Sequence, residues 1–199
     1  MAMLGTPATI RDAVRERYGA VAREPGGAYN FRVGREFAEA LGYPAELLDD
    51  LPPSACEAFT GVATVSLLAQ PAAGDTVVDL GSGGGLDLAV LAQKVGPDGR
   101  VVGVDFAPDM VARARRTLEQ FGVQPAEVRE ADADHTGLPD AFADYVTING
   151  LLNLSMDKRA VLAEIARILR PGGRLLLAET TLHAPLPQGT ITSMNDWFR

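Results

Sequence analysis

A glycine-rich segment carries the residues best suited to contact a ligand. Positions 81, 83, 84 and 85 are glycine, Ser82 stands between the first two, and the segment lies between an apolar run and a helical pattern. Backbone N–H groups in such a segment approach a ligand without interference from a Cβ atom. Gly81, Ser82 and Gly83 are therefore predicted to bind a polar or anionic ligand group, with a tight turn that binds nothing as the alternative.

The spacing of these glycines argues against a nicotinamide dinucleotide. The dinucleotide motif needs a third glycine three residues after the second, and that position holds Leu86. Asp79, two residues before Gly81, offers a carboxylate to a ligand ammonium group. NAD lacks such a group, whereas the methionine part of S-adenosylmethionine (SAM) has one.

Acidic residues also follow the next two predicted strands. Asp105 closes the apolar run 101–104, and its carboxylate can accept hydrogen bonds from both hydroxyls of a ribose. Asp132 and Ala133 follow the third strand, where a carboxylate and a backbone N–H can read an adenine edge; a solvated loop carboxylate is the alternative for Asp132. Because open α/β sheets bind ligands at the carboxyl ends of their strands, the acids are expected to share one site.

Further candidates surround this site. Phe106 and Met110 are expected either to flank an adenine or to pack the following helix. Asn149 ends the fourth strand and can orient a ligand. His183, just beyond the fifth strand, is the candidate base if an acceptor needs deprotonation, with an exposed loop histidine as the alternative. Asn149 and His183 are thus the candidate catalytic residues, and His135 is placed in a surface turn.

The elements that position these residues follow an alternating pattern after position 76. Strands are predicted at 77–80, 101–104, 127–131, 145–149 and 174–179, and helices at 86–95, 108–121 and 157–169. Alternation of this kind predicts an α/β fold with a Rossmann-like, doubly wound, mostly parallel sheet. The segment 171–173, Pro-Gly-Gly, is expected to separate the last helix from the last strand.

The first part of the chain has only helical patterns. A helix is predicted over 9–23, begun by a capping box of Thr9 and Asp12, and a shorter one over 35–41. Another helix can begin at 43–44, and Ser54 with Glu57 offers a second capping box. We therefore expect an N-terminal helical cap over 1–70 and a SAM-binding core over 71–199.

Composition narrows the class of protein. The chain has 199 residues, 47% of them hydrophobic and 22% charged, which is typical of a soluble domain. A net charge of −8 argues against nucleic acid as a partner. No signal peptide or membrane span is found, so a cytoplasmic location is expected. One cysteine and two histidines predict neither a disulfide nor a bound metal.

These residues together resemble the class I SAM-dependent methyltransferases. The resemblance runs from about Thr76 to Glu179 and rests on the acidic glycine-rich segment from Asp79 to Gly85, on Asp105 and Asp132 as the ribose and adenine acids, and on the Pro-Gly-Gly of 171–173. The segment 167–173 is further similar to the ubiquinone-biosynthesis-like methyltransferases. This resemblance implies SAM as the cofactor and methyl transfer as the activity.

A narrower resemblance is to the arsenite methyltransferases, and it covers most of the chain. It rests on the segments 17–19, 48–52, 81–87, 94–97 and 153–158. Those enzymes hold As(III) by three thiolates, and the places that match two of them hold Val62 and Gly150, while the third falls beyond Arg199. A lone Cys56 cannot supply a site of two or three thiolates, so an altered acceptor is expected.

Three functions are compatible with these patterns. The first is methyl transfer to a small-molecule acceptor; the second is arsenite methylation with external or missing C-terminal thiols; the third is a SAM-binding module without catalysis. The chain stops soon after the fifth strand, which predicts an abbreviated C-terminal, substrate-binding side. An apolar end at Trp197 and Phe198 then predicts a contact with a partner or a homodimer.

Overall fold

The structure, a computed structural model, describes residues 6–123 and 126–184. Five helices come first, and strands alternate with helices after them. The helices are α1 (Pro7–Arg23), α2 (Arg35–Leu41), α3 (Ala45–Asp49), α4 (Pro53–Glu57), α5 (Val65–Leu68), α6 (Leu86–Val95), α7 (Pro108–Phe121) and α8 (Lys158–Ile168). The strands are β1 (Thr76–Leu80), β2 (Arg100–Asp105), β3 (Ala126–Glu130), β4 (Ala143–Asn149) and β5 (Leu169–Ala178). The Trp197–Phe198 end and the contact expected of it lie outside the described residues.

The strands form one parallel sheet in the order β3-β2-β1-β4-β5. The predicted Rossmann-like α/β fold is confirmed. The chain order reverses between β1 and β4, which makes their carboxyl ends the point where open sheets of this kind form a ligand crevice. The strands β1 and β2 are almost entirely buried because they are covered on both faces, and this explains their unbroken apolar sequence.

Two apolar clusters cover the two faces of the sheet. One contains α6, α7 and much of α2 to α4, packed on residues such as Val77, Val101 and Tyr145. The other contains Val161, Ile165 and Ile168 of α8, packed on the opposite face. The N-terminal helices therefore share a core with the sheet, since Leu48 and Phe59 belong to the first cluster.

Three local predictions were wrong, and prolines account for the first two. The helix α1 begins at Pro7, and Oγ1 of Thr6 accepts the cap hydrogen bond from the N–H of Thr9 at 3.3 Å, so Thr9 is not the cap. The helix α4 begins at Pro53 after Pro52, which leaves Ser54 inside the helix. The strand β5 begins at Leu169, and the Pro-Gly-Gly of 171–173 interrupts its pairing with β4 between Ala143 and Tyr145.

Residues 6–123 and 126–184 contain neither a candidate membrane-spanning helix nor a candidate metal cluster. No helix there has the length and apolar character needed to cross a membrane. In the same residues no group of three or more His, Cys, Asp or Glu side chains is arranged to hold a metal ion.

Candidate cofactor site

A cavity of about 500 Å³ opens at the carboxyl ends of β1, β2 and β4. Its volume lies within the range of pockets that hold small molecules and cofactors, roughly 300–1,000 Å³. Predicted site residues that line it are Gly81, Gly83, Asp105, Phe106, Met110, Asp132, Ala133 and Asn149. The structure thus brings most of the predicted residues to one place, from turns that are far apart in the sequence.

The glycine-rich segment is held in place by its own backbone. The N–H groups of Gly81 and Ser82 both donate to the carbonyl of Val104, at 2.8 and 3.2 Å, and the N–H of Gly83 donates to Oδ2 of Asp105 at 2.9 Å. A Cβ atom on Gly81, whose φ is +74°, would lie 2.7 Å from the side chain of Leu151. Glycine is needed at position 81 because the side chain of Leu151 packs closely against it. The N–H groups of Gly81, Ser82 and Gly83 are already engaged within the protein.

Asp105 is the buried acid at the centre of the cavity wall. Besides the bond from Gly83, its Oδ1 accepts the N–H of Ala107 at 2.9 Å. Burial raises the pKa of this carboxyl, while hydrogen bonds from the backbone of Ala107, Gly83 and Phe106 lower it. A carboxylate has about four lone-pair sites, so the three backbone donors leave it capacity for one further donor.

Asp79 and Ser82 do not line the cavity formed by the described residues. Asp79 is buried and accepts the hydroxyl of Thr147 at 2.6 Å. Burial raises its pKa well above the ordinary value, and the nearby carboxylate of Asp87 raises it further. Ser82 is buried too, and its Oγ points to the place where Gly103 has no side chain.

Asn149 ends β4 and lines the cavity, as predicted, and its side-chain amide is bonded within the protein. Its Oδ1 accepts the N–H groups of Val62 and Ala63 at 2.7 and 3.1 Å, and its Nδ2 donates to the carbonyl of Ala63 and to Oδ2 of Asp87 at 2.8 and 2.9 Å. These four bonds use the full capacity of the amide. Asn149 therefore fastens the segment before α5 to the sheet, and its contact with a ligand stays a prediction.

The two histidines lie apart from the cavity lining. His183 is an exposed residue of the segment after β5, which favours the loop alternative over the role of a base. The N–H of His135 donates to the carbonyl of Asp132 in a surface turn, as predicted.

The contribution of α1 to this cavity was not predicted from the sequence. Ala8, Arg11, Val14 and Tyr18, spaced three or four residues apart, form one helical face that lines it. Burial and the charges of Asp105 and Glu179 raise the pKa of Tyr18. The helical pattern of 9–23 was the available signal, but a local pattern does not show what a helix face covers.

The fold and the site define a class of protein, the class I SAM-dependent methyltransferases. The family described as Methyltransferase domain matches residues 71–199, and the chain belongs to it. An arsenite methyltransferase from Halobacterium salinarum is 33% identical over an alignment of 195 residues, and the match covers 91% of this chain and 50% of that enzyme. A demethylmenaquinone methyltransferase from Thermus thermophilus is 43% identical over 125 residues, 61% of this chain and 53% of the enzyme.

One solved structure extends this comparison. An arsenic(III) S-adenosylmethionine methyltransferase from Chlamydomonas reinhardtii aligns with a TM-score of 0.59 and 27% identity, covering 80% of this chain and 53% of that one. The chain thus spans about half the length of these three relatives.

Proposed function

We propose that this chain binds SAM and transfers its methyl group to a small-molecule acceptor. The observation that carries the proposal is the arrangement of acids at successive strand ends: Asp105 on β2 and Asp132 after β3 line one cavity of about 500 Å³, and Asp79 is buried at the end of β1. The ribose and adenine of a ligand in the cavity would meet suitable partners at Asp105 and Asp132, and an ammonium group would be attracted by the charge of Asp79.

The adenosine half of the cofactor has the better-defined partners. The remaining lone pair of Asp105 suits a ribose hydroxyl, and the carboxylate of Asp132 with the backbone N–H of Ala133 suits the adenine edge. Phe106 and Met110 supply apolar surface for the ring. Met110 lines the cavity and also belongs to a buried cluster with Val21 of α1, so it can flank the ring while it packs in the core.

The methionine half is assigned to the glycine-rich segment. Gly81 and Gly83 face the cavity and leave room for the ligand chain, while Asp79 contributes negative potential from the buried end of β1. Ser82 does not line the cavity, and its N–H bond to the carbonyl of Val104 helps to hold the segment in place. The positive charge of a bound ammonium group would also offset part of the cost of burying that carboxylate.

The chemistry asks little of the protein besides positioning. SAM supplies a methyl group that is transferred by in-line displacement from a sulfonium, so the chain must align the acceptor and exclude water. Leu151 and Leu154, with Val14 of α1, form apolar wall suited to excluding water. No side chain of the described cavity is required as a base, and His183 is too exposed to be a strong candidate.

The sequence also supports proposals on the acceptor class, the cellular location and the assembly of the protein. A net charge of −8 favours a small molecule over a nucleic acid as acceptor. We propose a cytoplasmic location. We also propose a homodimer, on the basis of the apolar residues Trp197 and Phe198.

Arsenite methylation is the second candidate, because two relatives reported above carry that name. The places that match their thiolates are adjacent here: a Cβ atom on Gly150 would lie 3.1 Å from Cγ1 of Val62. Neither residue has sulfur. Cys56 is buried, and burial raises the pKa of its thiol, which disfavours the thiolate that As(III) needs. External thiols would have to supply the site.

Calorimetric titration with SAM, S-adenosylhomocysteine and NAD tests the cofactor. We expect saturable binding of both adenosyl ligands and none of NAD; binding of NAD alone, or of none of the three, would contradict the proposal. Methyl-labelled SAM is then offered with a panel of small-molecule acceptors that includes arsenite with glutathione. Labelled arsenic as the only product would favour the second candidate, and binding without turnover on any acceptor would favour a non-catalytic module.

A further inference from the structure

Arg11 occupies the place in the cavity that the proposed function gives to adenine. Its guanidinium forms an ion pair with Oδ2 of Asp132, the carboxylate assigned to the adenine edge. The same guanidinium lies 6.0 Å from the ring centroid of Phe106, the aromatic residue assigned to the adenine face. Both contacts are of the kind that a flat, hydrogen-bonding ring with an amino group makes.

The helix that carries Arg11 is anchored at one end and lies against the cavity at the other. In its C-terminal half, Val21 and Ala22 are buried against Ala107 and Met110, and the carbonyl of Ala22 accepts a 3.0 Å bond from Arg113. In its N-terminal half, Ile10 and Val14 are packed with Phe31, Phe106 and Leu154, and Arg11 lines the cavity.

The contacts of Arg11 are weak enough to be exchanged. The side chains of Arg11 and Asp132 are 48% and 37% exposed, and ion pairs in that setting contribute little because water screens them. The ring contact with Phe106 is at the outer limit of cation–π distances. An arriving adenine would replace both contacts with a charge-assisted hydrogen bond and a stacking contact.

We propose that Arg11 holds the adenine end of the cofactor site in the free protein and is displaced when the cofactor binds. The inference rests on the proposed function, since it assumes that adenine binds between Asp132 and Phe106. Arg11 then lowers cofactor affinity, because its contacts must be broken before adenine can bind. Breaking them also releases the N-terminal half of α1 from Asp132.

The test is calorimetric titration of Arg11→Ala and wild type with S-adenosylhomocysteine, which carries no net charge at neutral pH. Removing the competing contacts should tighten binding by roughly three- to tenfold, given the usual strength of exposed ion pairs and cation–π contacts. Arg116→Ala is the matched control, because Arg116 is exposed on α7, does not line the cavity and changes the net charge equally. It should bind as wild type does.

Arg11→Ala in an Asp132→Asn protein tests whether loss of the ion pair causes the tighter binding. In an Asp132→Asn protein the ion pair is already lost, so adding Arg11→Ala should give a smaller gain than it gives in wild type. Arg11→Gln, which keeps a long polar side chain without the charge, repeats the test if the alanine variant folds poorly.

Unchanged or weaker binding by Arg11→Ala would overturn the inference, because Arg11 would then be indifferent to adenine or would help to hold it. Wild type that binds no adenosyl ligand would contradict the proposed function separately. In that case a gain of binding in Arg11→Ala would still support the displacement of Arg11, and no binding in either protein would overturn both.

Discussion

The backbone N–H of Gly83 donates a 2.9 Å hydrogen bond to Oδ2 of Asp105, and so joins the turn after β1 to the end of β2. This bond couples two parts of the site that the sequence suggested independently, the glycine-rich segment and the proposed ribose acid. Asp105 therefore has two tasks, to shape the segment and to meet the ligand.

Asp105→Ala should weaken SAM binding by about 2 kcal/mol or more, because it removes a charge-assisted hydrogen bond to the ribose. Calorimetry measures the affinity, and circular dichroism checks that the variant is folded. Asp98→Ala, a change of an exposed acid in the turn after α6, serves as the control and should bind normally. Unchanged affinity in Asp105→Ala would remove the ribose assignment.

Asp79→Asn should make the protein more stable at pH 7 while it weakens SAM binding. Burial and the charge of Asp87 raise the pKa of Asp79, so the folded state holds this proton more tightly than the unfolded chain does. The charged form therefore costs stability as pH rises above the ordinary value of 3.8. Asparagine is neutral and its side-chain oxygen can still accept the hydroxyl of Thr147, so it avoids this cost.

Urea unfolding of wild type and Asp79→Asn from pH 4 to pH 8 measures the effect. The stability gained by the variant should be largest at the high end of this range and should shrink toward pH 4, where wild type also holds the proton. A gain that is independent of pH would mean that the charge of Asp79 is not its cause. Unaltered SAM affinity would separate Asp79 from the ligand ammonium.

Much of this site was predictable because its residues stand at strand ends, and strand ends can be located from the sequence. The apolar runs before Asp79 and Asp105 have the continuous character of strands buried on both faces, and helix α7 was predicted with the bounds it has. The starts of α1 and α4 were misplaced because Pro7 and Pro53 compete with the nearby capping residues.

The contacts between the N-terminal helices and the sheet were not predictable in the same way. Arg11 and Asp132 are separated by 121 positions, and no periodicity links them. The type of residue at Asn149 suggested a ligand contact, yet its partners are backbone groups of Val62 and Ala63 that only the folded chain brings near. Such pairs depend on tertiary packing, which a local pattern does not contain.

Asn149→Ala should destabilise the protein by about 2 kcal/mol and change SAM affinity much less. The substitution leaves the N–H groups of Val62 and Ala63 and the carboxylate of Asp87 without their partner, and such losses cost about 1–3 kcal/mol. Denaturant unfolding and calorimetry measure the two quantities. Asn153→Ala, which removes one side-chain bond to Thr180, is the control. A stable variant that fails to bind SAM would restore Asn149 as a ligand residue.

The contact between Val62 and Gly150 predicts how arsenic binding can be introduced. A Val62→Cys, Gly150→Cys double variant would place two thiols side by side, since a Cβ atom on Gly150 lies 3.1 Å from Cγ1 of Val62, and cysteine at 62 has one γ atom where valine has two. Two adjacent sulfur donors suit the soft As(III) ion. Gly150 has a φ of +82°, so a side chain there should cost about 1–2 kcal/mol of stability.

Arsenic that remains with the protein after gel filtration, measured by elemental mass spectrometry, reports the result. The double variant should retain As(III), and wild type and each single variant should retain little, because one thiolate binds it weakly. Retention by wild type would show that sulfur from elsewhere already reaches this place, and it would favour arsenite as the acceptor. A folded double variant that retains no arsenic would mean that the two positions, though adjacent, do not direct their sulfur atoms toward one ion.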